Sequence, residues 1–106
     1  MAWTVLFAAG LFEIAWAVGM KYTDHFTRPL PTVATVIAMI ASVLLLEHAA
    51  RSLPLGTSYA VWTGIGAIGT VLFGIFLFGE PASAARMVCL VLIIIGIVGL
   101  RLLPSQ

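Results

Sequence analysis

The chain alternates four long apolar stretches with short polar breaks. The stretches cover approximately residues 3–20, 32–50, 58–79 and 85–103. An α-helix rises about 1.5 Å per residue, and about 20 apolar residues cross the hydrocarbon core of a bilayer. The pattern therefore predicts four transmembrane helices within one domain, residues 1–106.

The breaks carry the residues that typically end and begin helices. Residues 21–31 and 51–56 contain prolines, and the third stretch ends at Gly79. Pro81 suits the opening turn of the fourth helix. Connections this short force neighbouring helices to run antiparallel, which predicts an up-down four-helix bundle.

Composition assigns this bundle to a membrane. The chain is 62% hydrophobic and 8% charged, whereas soluble domains are about 25% charged. A net charge of +1 without a basic cluster gives no case for nucleic acid. Glu13 interrupts the apolar N-terminal stretch, which lacks a basic start, so we interpret it as a retained span and not as a signal peptide.

Catalytic, metal and cofactor sites are not indicated by the sequence. Cys89 is the single cysteine, and its apolar surroundings favour a packed side chain over a reactive thiol. His25 and His48 are isolated from each other and from Cys89. No nucleophile–base pair or phosphate-binding loop is present, so we expect neither an enzyme nor a bound metal or cofactor.

The basic residues are almost balanced between the two sides of the predicted bundle. Arg51 and Arg101 fall on one side, and Lys21, Arg28 and Arg86 on the other. Lys/Arg bias orients short-looped membrane proteins, so this sequence leaves both insertion directions open. Four helices are too few to enclose a pathway, which implies an oligomer. Copies inserted in opposite senses would form an inverted repeat, as in many transporters.

Glu13 is the strongest candidate for a functional residue. It lies near the middle of the first span, where a charged side chain costs about 2.5–3.5 kcal/mol on insertion scales. Such residues face a protein or water interior and commonly carry function. Gly10 and Trp16 lie on the same helical face at spacings of three. This arrangement favours a closely approached pocket, although a tryptophan near a span end can also be an interface residue.

The second and third spans offer partners for this carboxylate. Tyr59, Trp62 and Gly66 share one helical face, so a phenol, a π surface and a close-contact position occur together. Ser42 is the main polar residue within the second span. It is either part of the site or bonded to its own backbone four residues back. For all four residues, plain helix packing remains the alternative.

The fourth span presents Gly96 and Gly99 between branched apolar residues, which is typical of helix packing and predicts a dimer contact. Arg101 near its end is expected to extend towards the membrane surface. The second span should extend to about residue 50, which brings Glu47 and His48 into its last turn. These two residues are either a solvated helix end or a secondary element of proton access.

Taken together, these stretches resemble the small multidrug resistance family of bacterial transporters over essentially the whole chain. The resemblance is carried by the stretches Gly10–Ala17, Met20–Tyr22, Phe26–Arg28 and, above all, Gly56–Gly66. Within the family, Trp16 and the basic residue Arg101 resemble the residues of the guanidinium-exporter subtype at these positions.

The resemblance implies a dual-topology, antiparallel homodimer with inverted symmetry in the bacterial inner membrane. It implies exchange of protons for guanidinium-type cations at Glu13 of both subunits. Trp16, Ser42, Tyr59 and Trp62 match pocket-lining positions of the subtype. A quaternary ammonium or multidrug exporter of the same family stays open as an alternative, and so does a non-transporting membrane assembly subunit.

Overall fold

The computed structural model describes residues 2–103, which form four α-helices joined by short connections. The helices are α1, Ala2–Gly19; α2, Pro29–Ala50; α3, Leu55–Phe78; and α4, Ala84–Leu102. Each is long and apolar enough to cross a membrane, so the predicted all-helical architecture with four spans is confirmed. Residues 1 and 104–106 of the predicted domain lie outside the described residues.

Proline chemistry explains where α2 begins. The helix starts at Pro29, three residues before the predicted start of the second span. Proline fits the first turn because the amide hydrogen it lacks would have no helical partner there. Arg28, directly before it, is extended with φ −86° and ψ 115°, as the residue preceding a proline prefers. The helix then continues to Ala50.

The start of α4 differs from the prediction. Pro81 does not open this helix, which begins at Ala84. The cap is Ser83, whose side chain accepts a hydrogen bond from the Arg86 backbone N–H at 3.2 Å. A serine hydroxyl at this position satisfies one of the free N–H groups of the first turn. The capping serine therefore sets the boundary, and Pro81 belongs to the connection.

Helix α1 is the centre of the bundle, because it packs along both α2 and α3, whereas α4 packs closely on α3 alone. The buried apolar core is small, and its main cluster consists of Leu6, Ala49, Leu53 and Val61. Large apolar side chains instead cover the outside, among them Leu30 and Phe76, each 80% exposed. Since lipid tails are as apolar as leucine, close packing and hydrogen bonds must hold the helices together.

Glycines on α1 and α3 provide that close packing. A Cβ atom added at Gly10 would lie 2.6 Å from Ile65 Cγ2, and one added at Gly69 would overlap the Ile14 side chain. Between α3 and α4, a Cβ at Gly64 would lie 2.9 Å from the side chain of Ile97. The missing side chains therefore let branched residues of one helix lie directly on the backbone of the next.

The connection between α1 and α2 contains a short left-handed turn. Asp24, His25 and Phe26 have φ angles of 50°, 60° and 63°. The carbonyl oxygen of buried Thr23 accepts the Thr27 N–H at 3.0 Å and the Arg28 N–H at 3.1 Å. Left-handed conformation costs about 1–2 kcal/mol per residue for L-amino acids. These hydrogen bonds hold the turn against that cost and set where α2 starts.

Candidate functional site

The Glu13 carboxylate in the middle of α1 has a hydrogen-bond donor on its own helix. The indole Nε1 of Trp16 donates to Glu13 Oε1 at 2.7 Å. Both side chains are half-buried within the single chain. Their spacing of three residues stacks them on one helical face, as the sequence predicts for this pair. The pair therefore presents a carboxylate that is already oriented by an indole.

Gly66 on α3 makes room for this carboxylate. A Cβ atom added at Gly66 would overlap Glu13 Cγ and would lie 3.1 Å from Glu13 Oε2. Gly66 is itself buried, as expected for a position that the Glu13 side chain covers. The side chain thus lies between the Trp16 indole and the α3 backbone, and its direction is set from two sides.

Ser42 joins three helices through two hydrogen bonds. Its fully buried hydroxyl donates to the carbonyl oxygen of Ala9 on α1 at 2.8 Å. The same hydroxyl oxygen accepts the indole Nε1–H of Trp62 on α3, also at 2.8 Å. The bond to its own backbone, one of the two expectations for Ser42, is therefore replaced by a bond to another helix. Within the described chain, Ser42 does not bond the Glu13 carboxylate either.

Tyr59 lies beside Trp62 at the open side of this arrangement. The two ring centroids are 5.5 Å apart, with the planes tilted by 57°. Tyr59 is 55% exposed, and its hydroxyl makes no hydrogen bond to any of residues 2–103. It is therefore available to a ligand or to a second copy of the chain.

The structure thus brings the predicted residues into two groups that meet on α1. Glu13, Trp16 and Gly66 form the first group. The second is the chain of contacts from Tyr59 through Trp62 and Ser42 to the Ala9 carbonyl. Ala9 and Glu13 are four residues apart, one helical turn, so the two groups are neighbours along the same face.

The predicted glycines divide between two locations. Gly10 and Gly66 lie at the contact of α1 with α3, close to Glu13. Gly96 and Gly99 lie on α4, where an added Cβ atom would meet no other atom within 4 Å. Among the described residues these two positions therefore leave room for a side chain, and their role as a dimer contact stays a prediction.

The Ala9 carbonyl is the one participant that sequence reasoning missed. A backbone oxygen has no signature of its own in a sequence. The available signal was the pair of small residues Ala9 and Gly10, both buried, which lets α2 and α3 approach α1 closely.

Glu47 and His48 lie in the last turn of α2, away from this arrangement. The Glu47 carboxylate pairs with Arg51 Nε at 2.9 Å, and the two side chains are 58% and 71% exposed. His48 is also exposed. This geometry is that of a solvated helix end. Within residues 2–103, no three His, Cys, Asp or Glu side chains are grouped so as to hold a metal ion.

Comparison with known proteins gives one consistent result. The family described as "Small Multidrug Resistance protein" matches residues 1–93. A "Guanidinium exporter" of Proteus vulgaris is 55% identical over 102 residues, which are 96% of this chain and 98% of the relative. The relative of the same name from Yersinia pestis is 57% identical over the same shares of the two chains. The one from Salmonella typhimurium is 56% identical, with 96% and 97% covered.

Proposed function

Because the chain belongs to the small multidrug resistance family, we propose that it exports guanidinium or small substituted guanidinium cations in exchange for protons. It is a transporter and not an enzyme, and it is a multi-pass protein of the bacterial inner membrane. The observation that carries the proposal is the mid-helix carboxylate of Glu13, held by Trp16 at 2.7 Å and lodged against Gly66.

The chemistry of this carboxylate suits a planar cation. Guanidinium presents parallel N–H donors that match the two oxygens of a carboxylate, so it can bind in a bidentate manner. An ionised carboxylate has about four acceptor positions, and the Trp16 indole uses one of them on Oε1. The rings of Trp16, Trp62 and Tyr59 supply π faces that attract a cation. A guanidinium bound at Glu13 would therefore meet both in-plane acceptors and aromatic surfaces.

Competition for one carboxylate is the proposed basis of coupling. An unpaired carboxylate inside a bilayer is costly when ionised. Glu13 therefore needs either a proton or a cation while the site is closed to water. Because the two ligands exclude each other, movement of a cation in one direction accompanies movement of protons in the other. No second coupling site is required.

A second copy of the chain, inserted in the opposite sense, would complete the site. Glu13 is only half-buried and Tyr59 is exposed in the single chain, so the proposed pocket lacks a wall. The nearly balanced basic residues on the two sides allow both orientations. Two inverted copies would place both Glu13 carboxylates at similar depth, and swapping their conformations would open alternate sides.

The test is transport in liposomes that contain the purified protein and a trapped pH indicator. We expect an outward guanidinium gradient to drive proton movement in the opposite direction. The variant Glu13→Gln should abolish this exchange, whereas Glu47→Gln, which removes an exposed carboxylate at the end of α2, should retain it. Coupled exchange that survives in Glu13→Gln would refute the mechanism.

The same liposomes distinguish the alternatives on substrate. Proton-coupled exchange is measured at equal gradients of three cations: guanidinium, a substituted guanidinium and a bulky aromatic quaternary ammonium. Exchange with the first two alone supports the proposal, and equal exchange with the third supports a multidrug exporter. A protein that exchanges none of them, but whose Glu13→Gln variant loses self-association, would be a structural membrane subunit.

A further inference from the structure

An apolar groove of about 570 Å³ runs between α1, α3 and α4, separate from Glu13. Ligand pockets in proteins commonly measure about 300–1,000 Å³. The apolar part of its wall includes Phe7, Val61, Ile65, Ile68, Ile94 and Val98. The wall residues of α3 and α4 span about two helical turns each, so the groove extends from one membrane surface towards the midplane.

One end of the groove is positively charged. Arg101 and Trp3 both line it, and the Arg101 guanidinium carbon lies 5.0 Å from the centre of the Trp3 indole. The first residues of α1 and the last turn of α4 lie on the same side of the bundle. The two ion pairs formed within residues 2–103 use Arg51 and Arg86, so Arg101 has no carboxylate partner there. This end therefore combines an aromatic residue and an available guanidinium at the level of lipid headgroups.

The groove is distinct from the predicted dimer contact on α4. At about 100° per residue, Gly96 lies about 160° around the helix from Ile94 and Val98. The groove wall and the glycine face are therefore on nearly opposite sides of α4. A second copy of the chain that packs on the glycines would therefore leave the α4 wall of the groove uncovered.

We propose that this groove binds an acyl chain of an anionic phospholipid whose phosphate pairs with Arg101. Guanidinium groups bind phosphate oxygens through two parallel hydrogen bonds. The apolar wall accepts the hydrocarbon, and the positive charge at its end selects an anionic headgroup. The same charge opposes entry of an organic cation, so the groove is not an extension of the transport site.

Native mass spectrometry of the delipidated protein in detergent tests this proposal without any transport substrate. Phosphatidylglycerol and phosphatidylcholine with identical acyl chains are titrated in turn. We expect a preference for phosphatidylglycerol that falls about fivefold in Arg101→Gln, the effect of one basic residue near an anionic lipid surface. Arg101→Lys should keep most of the preference. Arg51→Gln removes one positive charge from the same side of the bundle and should leave the preference for phosphatidylglycerol unchanged.

A second pair of variants tests the groove itself. Val98→Trp places a large ring in the groove wall and should weaken binding of both lipids. Val91→Trp is the matched control, since Val91 and Val98 are 51% and 50% exposed on the same helix and Val91 lies outside the groove. Equal binding of the two lipids by the unmodified protein would overturn the proposal, and so would equal effects of the two tryptophan variants. If Val98→Trp changes self-association and leaves lipid binding intact, the groove belongs to a second copy of the chain.

Discussion

The indole Nε1 of Trp16 donates a hydrogen bond to Glu13 Oε1 across 2.7 Å. The carboxylate proposed to bind the cation is therefore oriented by a residue about one turn further along α1. Trp16→Phe keeps an aromatic ring and removes this donor. Hydrogen bonds to charged groups contribute about 1.5–3 kcal/mol. We expect the affinity for guanidinium to fall about tenfold or more, measured by isothermal titration in detergent. Trp3→Phe, at the far end of α1, should bind guanidinium as the unmodified protein does.

Ser42 should contribute to stability through its two bonds to other helices. Ser42→Ala leaves the Trp62 indole N–H without its acceptor and removes the hydrogen bond from α2 to the Ala9 carbonyl. An unsatisfied buried polar group costs about 1–3 kcal/mol, so the unfolding transition in detergent should fall to a lower denaturant concentration.

Ser58 supplies the matched control for that measurement. It is equally buried, with 0% exposure, but its hydroxyl has no hydrogen-bond partner within the described chain. Ser58→Ala removes an unsatisfied group and should leave stability unchanged or raise it. If Ser42→Ala and Ser58→Ala lost equal amounts of stability, Ser42 would act by packing alone.

Gly66 should be required for the position of Glu13. In Gly66→Ala the new methyl group would occupy the space of the Glu13 side chain and displace the carboxylate from Trp16. We expect transport in liposomes to fall at least tenfold while the four helices still form, as checked by circular dichroism. Gly56→Ala adds the same methyl group to the first turn of α3, where it meets no atom within 4 Å, and should transport normally.

Gly96 should affect the association of two chains and not the packing within one chain. An added Cβ atom there lies more than 4 Å from the other described side chains and helices, but bulk inserted into a packed contact costs about 1–3 kcal/mol. Gly96→Leu should therefore weaken self-association, measured by energy transfer between labelled copies in liposomes. Val91→Phe adds bulk at another exposed position of α4 and should associate normally. Unchanged association of Gly96→Leu would remove the α4 glycines from the dimer contact.

Protons and guanidinium should behave as competitors. Lowering the pH on the loading side is expected to raise the apparent KM for guanidinium while the rate at saturating guanidinium changes little. Initial rates over a grid of pH and guanidinium concentration check this. A pH effect on the maximal rate alone would mean that the proton acts at another group.

The architecture was predictable because hydropathy alone defines four spans, and the Glu13–Trp16 pair was predictable because helical spacing places both side chains on one face. The helix boundaries were harder to predict from the sequence. Ser83 sets the start of α4 through a capping bond, whereas the more conspicuous Pro81 lies in the connection. The partner of Ser42 could not be predicted, since its acceptor is a backbone carbonyl on a different helix. Such an acceptor depends on how closely two helices approach, which a single sequence does not encode locally.

The close packing of α4 on α3, at the edge of the bundle, has a consequence for how this protein can diversify. The residues proposed to bind the cation all lie on α1, α2 and α3, whereas the exposed glycines lie on α4. If these glycines form the proposed dimer contact, substitutions confined to the last helix after duplication of the gene would alter which copies recognise each other and leave the direct ligands around Glu13 in place. The choice of partner would then depend mainly on α4, and the direct contacts to the cargo on α1, α2 and α3.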